Sequence, residues 1–295
     1  MVMKESLYAI ANLLDLKVEG PDRMIYGFNL CNREIKSTCV ITYCTSVKYV
    51  EYAIRNPKVG AIILSQELYD TIDEKERGRF SYIISNQPEW CFYDIFITMH
   101  AKDSINKNTF DTDMKNVSVG IGTTVEKGVK FGENVVIGCN SVIKSGTIIG
   151  NNVKIGSCTV IGADGFQIIR DGKGSIHTIP HVGGVYIGND VYIGNNTSIH
   201  RSLFEGFTTI GDNTKISDQV IISHNCTIGT HCVLCGNNTL YGSCELKDNV
   251  WIAPDASIMN QIIIEEGAFI GGSSLVGRTV KAGQKMFGVP AKQIG

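Results

Sequence analysis

The sequence predicts a long parallel β-helix, a coil of short strands, that follows a small α/β domain. From Val119 onward an aliphatic residue or Phe recurs at every sixth position, and Gly often follows it directly. A period of six fits neither an α-helix nor an alternating strand, but it fits a coil with three flat sides of six residues. The repeated residue and the small residue four places later would then point inward and stack from turn to turn.

The first hundred residues follow a different pattern, which predicts the α/β domain. Three segments with helical periodicity and three short apolar runs stand between polar stretches. The helices are expected at 5–16, 46–56 and 88–100, and the strands at 38–43, 60–64 and 81–84. The domain is thus expected over 1–100, and the polar stretch 101–118 predicts a linker to the coil.

The coil is expected over 119–288, with a short C-terminal tail at 289–295. Two interruptions break the period. Residues 163–186 contain turn signals and predict a hairpin-like loop that projects from one corner. Five extra residues, Glu205–Thr209, predict a second and smaller bulge. Insertions on a solenoid commonly collect on the face where ligands bind.

The bulk composition excludes several classes of function. With 27 basic and 29 acidic residues the net charge is −2, and no basic stripe predicts nucleic-acid binding. No apolar run approaches the roughly 18 residues that span a membrane. Because Glu5 and Asp15 interrupt the apolar N-terminus, it does not fit a secretory signal, and we expect a cytoplasmic protein.

The ten cysteines are expected to be free thiols, since a chain of this length without a secretory signal does not need a disulfide framework. Cys226, Cys232 and Cys244 fall on the small inward position of the repeat, where a thiol is a compact apolar filler. Cys232 and Cys235 have metal-like spacing, but they alternate between faces, so no metal site is expected.

His224 is the histidine that the repeat places best for chemistry. It is the third residue of the hexad that begins at Ile222, so we expect it to face outward from a rigid wall. Gly242 follows eighteen residues later, one turn along, where its bare N–H would lie beside the imidazole. Such a pair can accept a proton from an amine and stabilise an oxyanion, the two tasks of acyl transfer. The alternative is a solvated surface histidine, which is what we expect of His200 and His231.

The segments around these residues resemble one family, the UDP-3-O-(3-hydroxyacyl)glucosamine N-acyltransferases of lipid A biosynthesis. The matching segments are IGADGF, HTIPHVGGVYIGNDVYIGNNTSIHR, ISDQVIISHNCTIG and LYGSCELKDN. The resemblance spans nearly the whole chain and implies a left-handed coil and a homotrimer with active sites between subunits. It implies that His224 is the catalytic base and that the Gly242 amide serves the oxyanion. Asp164, Phe166 and Asn225 are then expected to bind substrate.

The N-terminal domain resembles the family's uridine-binding domain. In CVITYCTSVKYV, the family's aromatic residue, Asn and Tyr fall on Tyr43, Ser46 and Tyr49. The resemblance implies a pocket in which these residues bind the nucleobase. Ser46 has one side-chain donor fewer than Asn, which leaves the base open, and it is placed to cap the helix that starts there. The alternative is that Tyr43 and Tyr49 only pack a strand and a helix together.

Two further departures concern the cleft and the acyl donor. Gln261 stands where the family has a second histidine, and glutamine can donate a hydrogen bond to substrate but cannot titrate near neutrality. The ending MFGVPAKQIG is typical of coenzyme A-dependent sugar acetyltransferases, whereas the family ends in a helical tail that meets acyl carrier protein. The expected co-substrate is therefore a thioester of coenzyme A or of acyl carrier protein, with no permanently bound cofactor.

Three functions remain open at this point. The first is N-acylation of a UDP-linked amino sugar with a long acyl chain, as in lipid A synthesis. The second is acetyl-CoA-dependent N-acetylation, or another short acylation, of a different nucleotide amino sugar for a surface glycan. The third is a β-helix that binds or assembles without catalysis, which would need no crevice at His224.

Overall fold

The computed structural model describes residues 3–105, 107 and 109–294. Residues 106 and 108 of the expected linker and residue 295 of the expected tail lie outside the described residues. The chain divides into two compact units. We call them the N-terminal unit, within 1–107 and 166–182, and the coil, within 108–165 and 183–295.

The N-terminal unit is a small α/β fold. Its elements before the coil are β1 (Glu5–Ser6), α1 (Leu7–Asn12), β2 (Val18–Glu19), β3 (Met24–Ile25), β4 (Gly27–Phe28), β5 (Val40–Tyr43), α2 (Val47–Arg55), β6 (Val59–Leu64), α3 (Gln66–Asp70), α4 (Glu74–Arg77), β7 (Ser81–Ile84) and α5 (Pro88–Ala101). A five-stranded sheet has the order β2-β7-β6-β5-β4, in which only β2 is antiparallel to its neighbour. All three predicted strands are in this sheet, and β6 is buried along its whole length because it is central.

The first helix is shorter than the sequence predicts. It covers Leu7–Asn12 rather than 5–16, because Glu5–Ser6 pairs with β3 as a strand and Asp15 takes a left-handed φ of +52°. Ser6 caps the helix by accepting a hydrogen bond from the Ala9 N–H. The parallel strands leave their carboxyl ends at one edge of the sheet, which is where open α/β sheets bind ligands.

The coil is a left-handed parallel β-helix, as the sequence predicts. Its first strands are β8 (Val117–Val119), β9 (Thr124–Val125), β10 (Lys130–Phe131), β11 (Val135–Ile137), β12 (Val142–Ile143), β13 (Thr147–Ile149), β14 (Lys154–Ile155) and β15 (Val160–Ala163). The interruption then forms an antiparallel hairpin of β16 (Ile168–Arg170) and β17 (Ile176–Thr178), which groups with the N-terminal unit.

The remaining strands continue the coil. They are β18 (Gly184–Ile187), β19 (Tyr192–Ile193), β20 (Ser198–His200), β21 (Phe207–Ile210), β22 (Lys215–Ile216), β23 (Ile221–Ile222), β24 (Thr227–Ile228), β25 (Val233–Leu234), β26 (Thr239–Leu240), β27 (Glu245–Leu246), β28 (Trp251–Ile252), β29 (Ser257–Ile258), β30 (Ile263–Ile264), β31 (Phe269–Ile270), β32 (Leu275–Val276), β33 (Lys285–Phe287) and β34 (Lys292–Gln293).

Three sheets form the sides of the coil. We name them by size: the ten-stranded face runs from β8 to β34, the eight-stranded face from β9 to β32, and the seven-stranded face from β10 to β30. Equivalent hexad residues pair in register, as in Ile199 with Ile222. Burial of each such isoleucine removes enough apolar surface from water to stabilise the coil by about 1.5–3 kcal/mol.

The corners between the faces are made by residues in the left-handed region. Asn225, Ser243 and Gln261 occupy successive turns of one corner with φ values of +61°, +64° and +62°. Asparagine tolerates this conformation better than most residues because its short amide can hydrogen-bond locally. The corner that follows the eight-stranded face is thus a stack of polar side chains.

Three expected boundaries differ from the observed ones. The linker ends earlier than expected, because Val117–Val119 already pairs as β8 with β11. The tail is part of the coil, since β34 pairs with β33 and Ala291 is buried. The bulge expected at Glu205–Thr209 is wrong, because Phe207–Ile210 is a regular strand between β18 and β24. The chain instead leaves the ladder at 201–206.

Candidate functional site

His224 lies at the corner between the eight-stranded and seven-stranded faces. It lies two residues after the end of β23, and its backbone carbonyl accepts a hydrogen bond from the Ser243 N–H one turn further along. The side chain was expected to face outward, but it is only 8% exposed. The reason is that its ring turns along the corner and lies against Gly242, where no side chain competes for the space.

The contact between His224 and Gly242 is close. A Cβ atom built on Gly242 would lie 2.8 Å from both Cε1 and Nε2 of the imidazole. Only glycine therefore permits this ring position without displacement. Among the described residues the Gly242 N–H makes no hydrogen bond, so it is available to an oxyanion.

Asn225 fixes the tautomer of His224. Asn225 Oδ1 accepts a hydrogen bond from the Leu203 N–H at 3.1 Å, and Nδ2 donates to Ser202 Oγ at 2.6 Å. This orients the amide, because a flipped Asn would set Nδ2 against the Leu203 donor. The same Oδ1 lies 3.0 Å from His224 Nδ1, which must therefore carry the proton. The lone pair is then on Nε2, at the edge that faces Gly242.

Asn225 is thus a positioning residue. Both polar atoms of its amide make contacts within the chain, and its expected contact with substrate stays a prediction. Its backbone N–H also donates to Thr208 Oγ1 at 2.9 Å. Ser202, in turn, donates to the carbonyl of Glu205. The bulge at 201–206 therefore orients the Asn225 amide, which in turn orients the His224 imidazole. The hexad pattern alone does not predict this arrangement.

His200 is a second imidazole in the same part of the coil, although the sequence predicts a surface residue. It ends β20, whose neighbour in the face is β23. Burial lowers the pKa of His200, and the nearby His224 lowers it further, while Asp164 raises it. Its Nδ1 is buried and has no hydrogen-bond partner in the described part of the chain. His200 lies one turn before Ser223, the residue that precedes His224. That position was the signal available in the sequence.

Arg201 connects Asp164 to the coil. The guanidinium is buried, and its Nε donates to the Gly162 carbonyl at 2.7 Å while Nη2 donates to the Ser145 carbonyl at 3.2 Å. Asp164 Oδ1 lies 3.4 Å from the same Nε. Burial lowers the pKa of Arg201, and the carboxylates of Asp164 and Glu126 oppose that change. Asp164 remains half-exposed, so one side of its carboxylate can meet a ligand.

Gln261 is also at this corner. It is exposed, and its backbone N–H donates to the Gly242 carbonyl at 3.1 Å. The described coil therefore brings His224, Gly242, Asn225 and Gln261 together on successive turns. Phe166 belongs to the N-terminal unit, at the start of the hairpin, where it is 80% exposed.

Tyr43 ends β5 at the carboxyl edge of the N-terminal sheet. Its ring packs against Phe92 and Tyr93 with centroid distances of 5.1 and 6.1 Å. Its hydroxyl donates to Glu89 Oε1 at 2.9 Å. Burial raises the pKa of Tyr43 well above its usual value, and the neighbouring Tyr93 and Glu89 add to this. The phenol is therefore neutral and half-buried, with a polar end already engaged.

Ser46 and Tyr49 follow Tyr43 in the chain, at the N-cap of α2 and within its first turn. Ser46 is at the N-cap position, but its side chain makes no capping hydrogen bond, so the predicted cap is wrong. Its φ of −155° turns the residue into an extended conformation before the helix. Tyr49 is partly buried against the core of the unit, and its carbonyl accepts from Cys31 Sγ.

Cysteines and possible metal ligands add nothing to these sites. Cys226, Cys232 and Cys244 are buried in the core of the coil, at the inward position. Within the described residues no three His, Cys, Asp or Glu side chains converge as metal ligands would. No helix in that part of the chain is long and apolar enough to cross a membrane.

The chain matches known proteins in its repeats. The bacterial transferase hexapeptide family (six repeats) matches residues 128–163 and 207–242. UDP-3-O-acylglucosamine N-acyltransferase of Methylorubrum extorquens (strain PA1) is 37% identical over 134 residues, which are 45% of this chain and 38% of that protein. The same-named protein of Bordetella parapertussis is 32% identical over 129 residues, 42% of this chain and 35% of that protein. The matches thus span less than half the length of these curated relatives.

One solved structure extends the likeness to the fold. The UDP-N-acetylglucosamine acyltransferase from Campylobacter jejuni is 27% identical to this chain, with a TM-score of 0.53. The match covers 61% of this chain and 68% of that one. The chain is therefore a divergent relative of hexapeptide-repeat proteins that are named as acyltransferases.

Proposed function

We propose that the protein is an N-acyltransferase, which moves an acyl group from a thioester to the amino group of a nucleotide-linked amino sugar. The observation that carries this proposal is the pair of His224 and Gly242, with the imidazole tautomer set by Asn225. The relatives support the class of reaction, since their names describe acyl transfer to UDP-linked glucosamine derivatives.

The geometry fits a direct attack without a covalent enzyme intermediate. The amine nitrogen attacks the thioester carbon, and His224 Nε2 accepts the proton that the nitrogen loses. The carbonyl oxygen becomes an oxyanion and takes a hydrogen bond from the Gly242 N–H. The tetrahedral intermediate collapses, the C–S bond breaks, and the leaving thiolate takes the proton from His224, which returns to its neutral form. A positioned base contributes about 10²–10⁴ in rate, and one oxyanion donor about 10²–10³.

The N-terminal unit is proposed to hold the nucleotide. Tyr43 is at the carboxyl edge of a parallel sheet, beside the start of α2, where open α/β sheets bind nucleotides. A half-buried, neutral phenol ring can stack on a flat base. The printed names of the relatives include UDP, which makes uracil the first base to test.

The proposed assembly is a homotrimer in which subunits meet along the eight-stranded face. Within the strands of this face, the outward residues form one ladder without a charge, and the charged Glu126 and Lys144 that follow β9 and β12 pair with each other. The ladder is Thr124, Val142, Val160, Ser198, Ile221, Thr239, Ser257 and Leu275. The ten-stranded face carries outward lysines at 154, 215 and 285. Interface cores are depleted in charge, so the uncharged face is the better one for a second copy. The eight-stranded face adjoins the corner of His224, so a second copy of the chain bound there would form one wall of the site.

A substrate matrix tests the proposed function. The purified full-length chain would be incubated with UDP- and dTDP-linked amino sugars, each with acetyl-CoA and with long-chain acyl carrier protein thioesters. We expect mass spectrometry to show an amide product for at least one pair, and the productive pair names the acyl donor. UDP-N-acetylglucosamine, which offers hydroxyls but no free amine, serves as the control acceptor. Ester formation on that control, or no product with any amine, would refute N-acylation. Acyl carrier protein and acyl-CoA are cytoplasmic thioesters, so we place the reaction in the cytoplasm.

A further inference from the structure

The turn after β4 carries an arginine with an unsatisfied nitrogen. Arg33 Nη1 is buried, yet it makes no hydrogen bond within the described residues. The ionisable groups that act on its charge are two phenols, Tyr93 and Tyr43, rather than a carboxylate. A guanidinium stays protonated in proteins, so this donor is charged. A buried donor without an acceptor is costly, and such groups mark places where a further partner is needed.

The backbone of this turn is fixed before any ligand arrives. Asn29 is buried; its Nδ2 donates to the Glu34 carbonyl at 3.2 Å, and its Oδ1 accepts from the Leu30 N–H at 2.8 Å. The Arg33 N–H donates to the Leu30 carbonyl at 3.1 Å. The buried amide therefore closes the turn from both sides and sets where the arginine begins.

The turn that carries Arg33 lies at the same edge of the sheet as Tyr43, because β4 and β5 pair in parallel and both end at that edge. The Glu89 carboxylate accepts from the Tyr43 hydroxyl, and Tyr93 shares a side-chain hydrogen bond with Tyr43. The ionisable neighbours of the guanidinium are thus two phenols, both of which already hydrogen-bond to other groups. A hydrated phosphate would have to lose its water to enter such surroundings, whereas a neutral aromatic base would not.

We propose that Arg33 reads the nucleobase, by donating a hydrogen bond to the 4-carbonyl oxygen of a uracil-type pyrimidine that stacks on Tyr43. This inference rests on the proposed nucleotide pocket and adds the base that it prefers. The 4-carbonyl lies on the edge of the base that is remote from the sugar. That edge can reach the buried nitrogen of Arg33 while the ribose stays at the surface. Arg33 Nη1 is covered by protein in this structure, so binding requires a rotamer change of Arg33 or Tyr43, as is common at binding surfaces.

The chemistry separates uracil from cytosine. Cytosine presents an amino donor where uracil presents the 4-carbonyl acceptor, so two donors would meet at Arg33. A site that is built to hydrogen-bond one group strongly rejects the analogue that lacks it. Thymine keeps the same carbonyl, and a uracil-type base here means either uracil or thymine.

The test is calorimetric binding of uridine, thymidine, cytidine and UMP to the full-length chain and to Arg33→Met. A hydrogen bond to a charged group predicts that Arg33→Met weakens uridine and UMP binding by the same factor, about tenfold to a hundredfold. Cytidine binding should change little, so the uridine preference should collapse. Arg33→Lys, which retains a charged donor, should retain part of the preference for uridine over cytidine. Arg55→Met removes one exposed positive charge from α2 and should leave all affinities unchanged.

Two results would overturn the assignment of Arg33. Loss of UMP affinity with uridine affinity intact would show that the arginine binds phosphate, not the base. An unchanged uridine-to-cytidine ratio in Arg33→Met, with a normal melting temperature, would show a structural role only. If the unmodified chain binds neither nucleosides nor UMP, the proposed nucleotide pocket itself fails, which is a different outcome.

Discussion

The substitution Gly242→Ala perturbs His224 while leaving the proposed oxyanion donor, the residue 242 N–H, in place. Alanine keeps the backbone N–H, and Gly242 does not have a left-handed φ, so its backbone accepts a side chain. The added methyl would lie 2.8 Å from Cε1 and Nε2 of His224. The imidazole is therefore what the substitution displaces.

The size of the effect follows from that distance. Ordinary contacts of a Cβ atom begin at 3.4 Å, so the ring must move by 3.4 − 2.8, or about 0.6 Å. A misplacement of about 1 Å can cost roughly 10² in rate when reacting groups must align. We therefore expect turnover to fall about tenfold to a hundredfold. Stability should change by about 1–3 kcal/mol at most, as for other overpacked sites.

Gly236→Ala provides the matched control. Gly236 is the third residue of the preceding hexad, as Gly242 is of its own. A Cβ atom at this position would meet the Asp218 carbonyl at 3.4 Å, an ordinary contact. Amide formation would be followed by mass spectrometry at saturating substrate, with melting temperatures measured alongside. Normal turnover in Gly242→Ala, or equal losses in the two variants, would refute the reasoning.

Three further changes test other parts of the account. Asn225→Ala removes the acceptor at Nδ1, so turnover should fall about tenfold to a hundredfold; unchanged turnover would contradict the assigned tautomer. Burial lowers the pKa of His200 from 6.5, so folding favours the neutral ring; melting temperature should fall as pH drops below 6.5, and His200→Gln should flatten that slope. Ile221→Glu should dissociate the trimer in light scattering, whereas Val136→Glu, on the ten-stranded face, should leave it intact.

The coil could be predicted from the sequence because its order is one-dimensional. Each turn buries the same hexad positions, so the period alone predicts that Ile222 pairs with Leu240, eighteen residues later. The neighbours His224 and Gly242 follow from the same arithmetic, since one turn separates them. A period, however, describes only what repeats.

What the sequence could not predict lies where the repeat stops. The bulge expected at Glu205–Thr209 begins and ends a few residues too late, because the spacing shows only how many residues are added and not where the ladder opens. Asn225 accepts a hydrogen bond from the Leu203 N–H and donates one to Ser202 Oγ, and both contacts depend on that opening, so the spacing could not predict them. His200 was missed for a related reason, since its burial comes from three-dimensional neighbours and not from its hexad position.

The N-terminal unit shows the same limit in another form. Its strands follow from apolar runs, and Tyr43 ends its strand as the pattern indicates. The side-chain cap at Ser46 depends on a rotamer, which no spacing determines. Arg33 stands in a turn with no motif, and only the three-dimensional structure shows that its Nη1 is buried without an acceptor among the described residues.

The rate of amide formation in a single turnover, for the unchanged chain and for His224→Ala, tests the central claim most directly. With acyl donor and nucleotide amino sugar both bound, the account predicts a fall of at least about a hundredfold, because the nitrogen that accepts the amine proton is gone. Oligomeric mass and melting temperature should stay as they are in the unchanged chain. A rate within a fewfold of the unchanged chain, in a protein that is still folded, would contradict the assignment of His224 as the base.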